Sequence, residues 1–445
     1  MSARSQQAVS QTCLIGAVAA LGYALEIRDG FYDERALGWL TVALVLCAAG
    51  VLTLRRTPLA RHKLDFLPVV AAGAAIAAHI LLILSSSPGM YLQPNADMRV
   101  FVAGILIQAA LATVGLSSVK KLARFWFPAL LAVHFALGTW MIRASPSPRI
   151  DVVVVHREAL DAMASGRSPY AISFENIYGS DSGFYNPKAV EENRVMFGYP
   201  YPPLSLLAAA PGHWLAGDYR YAELVAWIGS AALIGFMGTG LVAKLAAILV
   251  LLQPRGFFVL EQGWTEPIAL LMLALTVFAM ARNAAGAAWA SGLLLVTKQY
   301  LAVAAPPIFR FAAGRDRKAF LVRAFVAGAA VTLPFVLWNP RAFVESVLLL
   351  QMREPFRADS LSYLSWAARH GLGAGSFLWA GGAAAIALVL VMLATPNTVA
   401  GFAASVALST FLTFTFGSKA FCNYYFFVAG AMCCAIAAET RGTRA

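Results

Sequence analysis

The chain has 445 residues, of which 60% are hydrophobic and only 13% charged, with a mean hydropathy of +0.69. A soluble domain carries about a quarter charged residues, so composition excludes an ordinary soluble globular protein. The net charge of +12 belongs to short loops between helices, where Lys and Arg set topology, and not to a nucleic-acid surface.

The apolar runs are long and continuous and do not alternate with period two. They are therefore read as membrane helices of roughly 20 residues, the length a bilayer core requires. Five runs come first, at about 12–27, 37–54, 65–86, 99–117 and 125–143. Between them basic segments (55–63 and 119–124) alternate with neutral or mixed ones (EIRDGFYDER, SSPGMYLQPNADMR). The positive-inside bias then places the N-terminus and both basic segments in the cytoplasm. The N-terminus reads as a short lead into the first helix, with no cleavage site for a signal peptide.

The next stretch, 144–202, is the longest polar segment, and it is expected to face outward. Its first half has helical spacing, with Val155, Ala159, Leu160 and Met163 on one face and Gly166 and Pro169 stopping the helix. A helix follows at the Pro pair of YPPLSLLAAAPG. The segment 218–220 is read as an inner loop, and the run at about 221–242 as returning outward. Two later stretches are interrupted: LAAILVLLQPRGFFVLEQGWTE by Pro254 and Arg255, ASGLLLVTKQYLAVAAPPIF by Lys298 and Gln299. If each is a broken pair, the basic loop 310–318 returns to the cytoplasmic side, and such breaks are tolerated where they line a cavity. A span at about 319–337, a second outer loop at 338–361, three final helices (about 374–394, 398–416 and 424–438) and a basic cytoplasmic tail complete the chain. The expected fold is all-α and polytopic, with about 11–13 transmembrane or re-entrant helices and a long extracytoplasmic loop bearing a short interfacial helix. It is one membrane domain over 1–445, divided into N-terminal helices 1–143, outer loop 144–202 and helical core 203–445.

Chemistry-bearing residues concentrate near the outer loops. Asp151, just past the fifth run, is placed to act as a general base toward a hydroxyl; it is equally a helix-start acid favoured by the dipole. His156, Arg157, Glu158 and Asp161 follow on the same helix, and Glu158 shares a face with Asp151. For His156 and Glu158 both a chemical role and an ordinary amphipathic one stay open. Lys298 is an ionisable residue between apolar half-helices, a functional position by default in a membrane, with Gln299 beside it. Glu261, Gln262, Trp264 and Glu266 form a polar patch. Arg341, Arg353 and Arg357 suit bidentate phosphate binding or headgroup anchoring. Lys419, Asn423, Tyr424 and Tyr425 cluster before the last helix, where aromatics also form interfacial belts. His79, His134, His213 and His370 read as packing or interfacial groups. Four of the five cysteines (Cys13, Cys47, Cys433, Cys434; not Cys422) lie in apolar runs, so neither a disulfide framework nor a metal spacing is read. No Walker loop, metal-ligand spacing or nucleophile elbow is present.

The order of these features resembles a known family. Asp151 precedes a short helix; then come GRSPY (Gly166 to Tyr170), YPYPPL (Tyr199 to Leu204), EQGWTE, TKQY and SKAFCNYY. Over about 145–430 this is similar to the C-type superfamily of polytopic membrane glycosyltransferases, most like the polyprenol-phosphate-mannose-dependent glycosyltransferase family 87. The chain differs in having its acidic loop after the fifth run and a Gln262-Gly263 pair in reversed order. The resemblance implies inverting transfer of a sugar, mannose above all, from a polyprenyl-phosphate donor to a lipid- or glycan-linked hydroxyl, at the outer face of a bacterial plasma membrane. It implies Asp151 as base and matches Lys298 to the family's lysine; the chemistry of the residues adds the loop arginines Arg353 and Arg357 to Lys298 as donor-phosphate ligands. The substrate-binding set then comprises His156, Glu158, Tyr170, Tyr201, Gln262, Gln299, Lys419, Asn423 and Tyr424. The implied partners are the donor, the acceptor and membrane lipids, with no cofactor, metal or nucleic acid. A polytopic transporter or lipid flippase is the alternative, and a non-catalytic membrane assembly subunit is the third reading.

Overall fold

The computed structural model describes residues 3–54, 66–116, 125–179, 182–238, 240–313, 316–373 and 377–440. It is a helical bundle. The first five helices are α1 (Ala3–Ile27), α2 (Glu34–Leu52), α3 (Phe66–Ser85), α4 (Met98–Leu116) and α5 (Trp126–Ala144). Together with two later ones, they make seven helices among the described residues that are long and apolar enough to cross a membrane. In lipid every backbone N–H and C=O must be satisfied within its own segment, which is why each continuous apolar run closes as a helix. The basic segments 55–63 and 119–124 and most of the tail lie outside the described residues, and with them most of the charge pattern on which the sidedness expectation rested.

The polar segment after α5 carries α6 (Asp151–Ala164) and three short strands, β1 (Phe174–Glu175), β2 (Val190–Glu191) and β3 (Arg194–Val195). They form an antiparallel sheet in the order β1-β3-β2, a small β element that the all-α expectation lacked. Next come α7 (Pro203–Ala216), α8 (Arg220–Met237), α9 (Leu241–Leu251), α10 (Gly256–Glu261) and α11 (Glu266–Ala281). After them lie α12 (Gly286–Leu295), a 3-10 turn over Gln299–Ala304, α13 (Ala305–Ala312) and α14 (Arg317–Trp338). The segment 338–361 holds α15 (Pro340–Val344) and α16 (Leu350–Arg353), joined by a π turn. The chain closes with α17 (Tyr363–Arg369), α18 (Phe377–Ala394), α19 (Val399–Thr415) and α20 (Cys422–Glu439).

Hydrogen bonds define the two ends of the bundle. At one end Ser10 donates to Gly50 O (3.0 Å), Gln7 to Glu439 O (2.9 Å) and Arg282 to Phe236 O (3.0 Å). At the other, the cavity end, Arg220 donates to Ser145 O (2.8 Å) and Glu261 O (3.2 Å), and Arg255 to Glu26 (2.6 Å) and Ser87 O (2.8 Å). Arg220 therefore lies beside the C-terminus of α5, and the segment 218–220 is at the cavity end rather than in an opposite loop. The reason is that α7 does not cross. It starts and finishes at the cavity end and lies against α6, with His213 Nε2 at 2.8 Å from Asp161 Oδ1. Helix α8 accordingly runs away from the cavity end. The first interrupted stretch is a single crossing, α9 followed by α10, whose break at Gln253–Arg255 is satisfied by the Arg255 pairs to Glu26 and Asp29 (3.0 Å). The second is a broken pair: α12 rises to Lys298, and the chain returns through the 3-10 turn and α13 to Arg310, which donates to Met392 O and Thr395 O at the far end.

Burial separates the centre of the bundle from its periphery. Helix α20 is 89% buried, whereas α4 and α14 are each 28% buried. Lipid tails are as apolar as Leu, so helices in a membrane associate through close approach over small residues and through polar contacts. Gly292 on α12 is such a point: a Cβ built there would stand 1.9 Å from Ala324 O of α14. Gly292→Ala is expected to force these helices apart at a cost of about 1–3 kcal/mol, read as a lowered Tm of the purified protein. An unchanged Tm would refute this contact as a determinant of stability.

Candidate functional site

Asp151 opens α6. Ile150 before it is extended (φ −140°, ψ 138°) and offers no capping side chain. The Asp151 carboxylate serves the exposed amides instead, with Oδ1 accepting from Val152 N at 2.8 Å, where the helix dipole favours negative charge. The loop after α6 then folds back and presents two phenols. Tyr185 donates to Oδ2 at 2.7 Å, and Tyr178 donates to Oδ1 at 3.3 Å. Burial, and then the Asp151 charge, push both phenols well above their ordinary range, so both remain protonated donors. Tyr178 stacks on Phe184 at 4.2 Å, and Phe184 in turn carries the Arg357 guanidinium at 4.2 Å.

Asp151 lines a cavity of about 290 Å³ at this end of the bundle. Its walls combine aromatic faces, among them Phe174, Tyr201, Phe258, Trp264 and Phe421, with cations from three different segments: Arg149, Arg357 and Lys419. Two cations are tethered. Lys419 pairs with Glu354, and Arg357 Nη2 lies 2.7 Å from Asp359 Oδ2. Burial holds the Lys419 ammonium below its ordinary range, and Glu354 opposes that shift. Both pairs lie within or against the segment 338–361, so this segment and the α6 loop both contribute to the walls. Among the described residues, no group of three or more His, Cys, Asp or Glu side chains is placed to hold a metal ion.

No family model, curated protein or solved structure matches this chain.

Of the residues selected from the sequence, the cavity lining unites Asp151, Tyr201, Gln262, Trp264, Arg357, Lys419 and Tyr424. The remaining candidates do not line it. Lys298 is 2% exposed and held at 2.8 Å by Glu266, itself 0% exposed. The Tyr201 ring covers the Lys298 ammonium at 4.2 Å, so the ring and not the lysine faces the cavity. Arg353 is exposed at the end of α16. His156 is a buried core histidine, with Nδ1 at 2.8 Å from Val152 O, Nε2 at 2.9 Å from the Tyr199 hydroxyl, and its ring stacked on Tyr219 at 4.6 Å. Burial pushes its pKa down to about 3. Glu158 turns to Arg194 at 3.3 Å on the surface. Tyr170 donates to Tyr201 O (3.0 Å) and so braces the loop behind the cavity wall. Gln299 donates to Pro200 O (2.6 Å) and Val347 O (3.0 Å), joining the α6 loop to the segment 338–361. Asn423 is buried beside Tyr424.

Sequence reasoning missed Arg149, Tyr178, Tyr185 and Glu354. The two tyrosines lie 27 and 34 residues beyond Asp151, in a loop whose aromatic content was its only signal.

Proposed function

We propose that this protein is a membrane glycosyltransferase that moves a sugar, mannose above all, from a polyprenyl-phosphate donor to a hydroxyl of a lipid- or glycan-linked acceptor, with inversion. The observation that carries the reading is that Asp151, held by two phenols, shares a single aromatic-lined cavity with three cations at one end of a bundle of membrane helices. The donor's leaving group is a phosphate. The acceptor oxygen forms the new bond to the anomeric carbon as the carbon–oxygen bond to phosphate breaks; the bonding pair leaves with the phosphate and the acceptor proton passes to Asp151. Such a reaction needs a base, a positioned hydroxyl and compensation of the departing charge. Asp151 supplies the first. Arg357, Lys419 and Arg149, which line the same cavity, would supply the third. The aromatic walls suit sugar faces. In this reading the cavity end is the outer face of a bacterial plasma membrane, and α6 lies at its interface.

A transporter or lipid flippase is the second reading, favoured by the interrupted helices α9–α10 and α12–α13. The cavity, however, draws its walls from one end of the bundle only. The test is transfer from radiolabelled polyprenyl-phosphate sugars into a lipid extract by the purified protein. Labelled product is expected, and its loss in Asp151→Asn ties it to the cavity. No product with any polyprenyl-phosphate sugar would overturn the proposal.

A further inference from the structure

The loop that follows α6 is long, yet it is not loosely arranged. Its strands and aromatic side chains form a separate apolar cluster in which Val155 of α6 packs with Phe174, Tyr185 and Val195. That cluster fixes the Tyr185 ring, and the ring's hydroxyl reaches Asp151 Oδ2 at 2.7 Å, a short distance of the kind charge-assisted bonds adopt. Oδ1 has a different environment, its own helix amide at 2.8 Å and the more distant Tyr178 hydroxyl at 3.3 Å. The two oxygens are thus unequal: Oδ2 is held by one strong donor and Oδ1 by a backbone amide with a weak second partner.

We propose that Tyr185 is a positioning residue that fixes the aim of the Asp151 carboxylate and sets its basicity. The proposal rests on the transferase reading for its role in catalysis, but the coupling itself is a property of the folded site. A donor aimed at a carboxylate favours the charged form, and the Tyr185 hydroxyl is such a donor. It also leaves the remaining lone pairs of the two oxygens directed into the cavity, where a hydroxyl acceptor would approach. Tyr178 acts in the same sense, more weakly, at its longer distance. Other ionisable groups lining the site are Tyr91, Arg149, Tyr201 and Tyr424, together with Glu354, Arg357, Asp359 and Lys419. Of these Glu354 and Asp359 are carboxylates, and each is held by its own cation.

The experiment has two arms, each applied to wild type, Tyr185→Phe and Tyr178→Phe. In the first, a hydrophobic carbodiimide, which reacts with protonated carboxyls, is applied across pH, and modification of Asp151 is read by peptide mass. Tyr185→Phe is expected to raise the labelling midpoint by about one pH unit, because a lost charge-assisted bond is worth on the order of one pKa unit. Tyr178→Phe is expected to raise it less. In the second arm the rate of sugar transfer is followed across pH, and its acid limb is expected to move up by the same amount in the same order. A merely structural tyrosine would scale the whole profile without moving that limb. An unmoved labelling midpoint in both variants overturns the inference. A moved midpoint with no transfer by wild type at any pH leaves the Tyr185–Asp151 coupling standing and overturns the transferase reading instead. If Tyr185→Phe fails to fold, the midpoint of Tyr178→Phe decides: a rise supports the proposal and none refutes it.

Discussion

Asp151→Asn is expected to lower the transfer rate by a factor on the order of 10²–10⁴, the contribution a positioned general base makes, with little loss of stability. The two expectations separate because of how the carboxylate is held. An amide is isosteric with it: its oxygen can still accept from Val152 N, and the Tyr185 hydroxyl can turn to accept from its NH2, so the start of α6 keeps its cap. What disappears is the capacity to take a proton. Binding of the donor should survive, since the cations and aromatic walls are untouched, and the loss should fall on kcat more than on KM. Transfer rates and thermal unfolding of the same preparations test both halves. A variant that folds and transfers at the wild-type rate would remove Asp151 from the role of base.

The apolar runs were legible because lipid leaves the backbone only one solution per run, and length then sets the boundaries. Hydropathy alone could not show which apolar segments cross. Helix α7 is as apolar as a span, yet it spends its surface on α6 and α14 at the cavity end, with Leu206, Ala209 and Ala210 in one cluster with Leu160 and Phe335. Arg220, bonded to the carbonyl end of α5, shows where the chain is after α7. The interruption at Pro254–Arg255 was visible as a polar break, but its single-crossing geometry depends on Glu26 and Asp29, more than two hundred residues earlier.

The candidate site divides in the same way. Asp151 stood out because an acid directly after a span is placed by that span. Arg357, Lys419 and Tyr424 stood out as polar or aromatic residues beside spans. Their partners did not, because a loop's tertiary path decides which tyrosine reaches which carboxylate, and no local periodicity records it. The rule that an intramembrane charge is functional selected Lys298 correctly as an unusual residue. That rule is silent on whether the charge faces a ligand or a buried partner, and the partner here, Glu266, is 32 residues away.

Lys298 provides the second large effect. Its ammonium and the Glu266 carboxylate are both essentially without solvent, 2.8 Å apart, and Glu223 on α8 is fully buried close to the same pair. Removing one member of such a pair leaves an uncompensated buried charge at a cost of ~3–5 kcal/mol, whereas replacing both with apolar groups of similar size is often close to neutral. Lys298→Met and Glu266→Leu are therefore each expected to lower the Tm sharply, and the double variant to recover most of the loss, a coupling that a double-mutant cycle isolates. The same three proteins decide what the lysine does for transfer. If Lys298 acts by holding Tyr201 in the cavity wall, through the ion pair beneath its ring, the double variant regains transfer along with stability. If Lys298 instead leaves Glu266 to meet the donor phosphate, the double variant is stable and inactive. Its buried, paired and ring-covered position favours the first result, which under the proposed transfer leaves charge compensation to the cations that line the cavity, Arg357, Lys419 and Arg149.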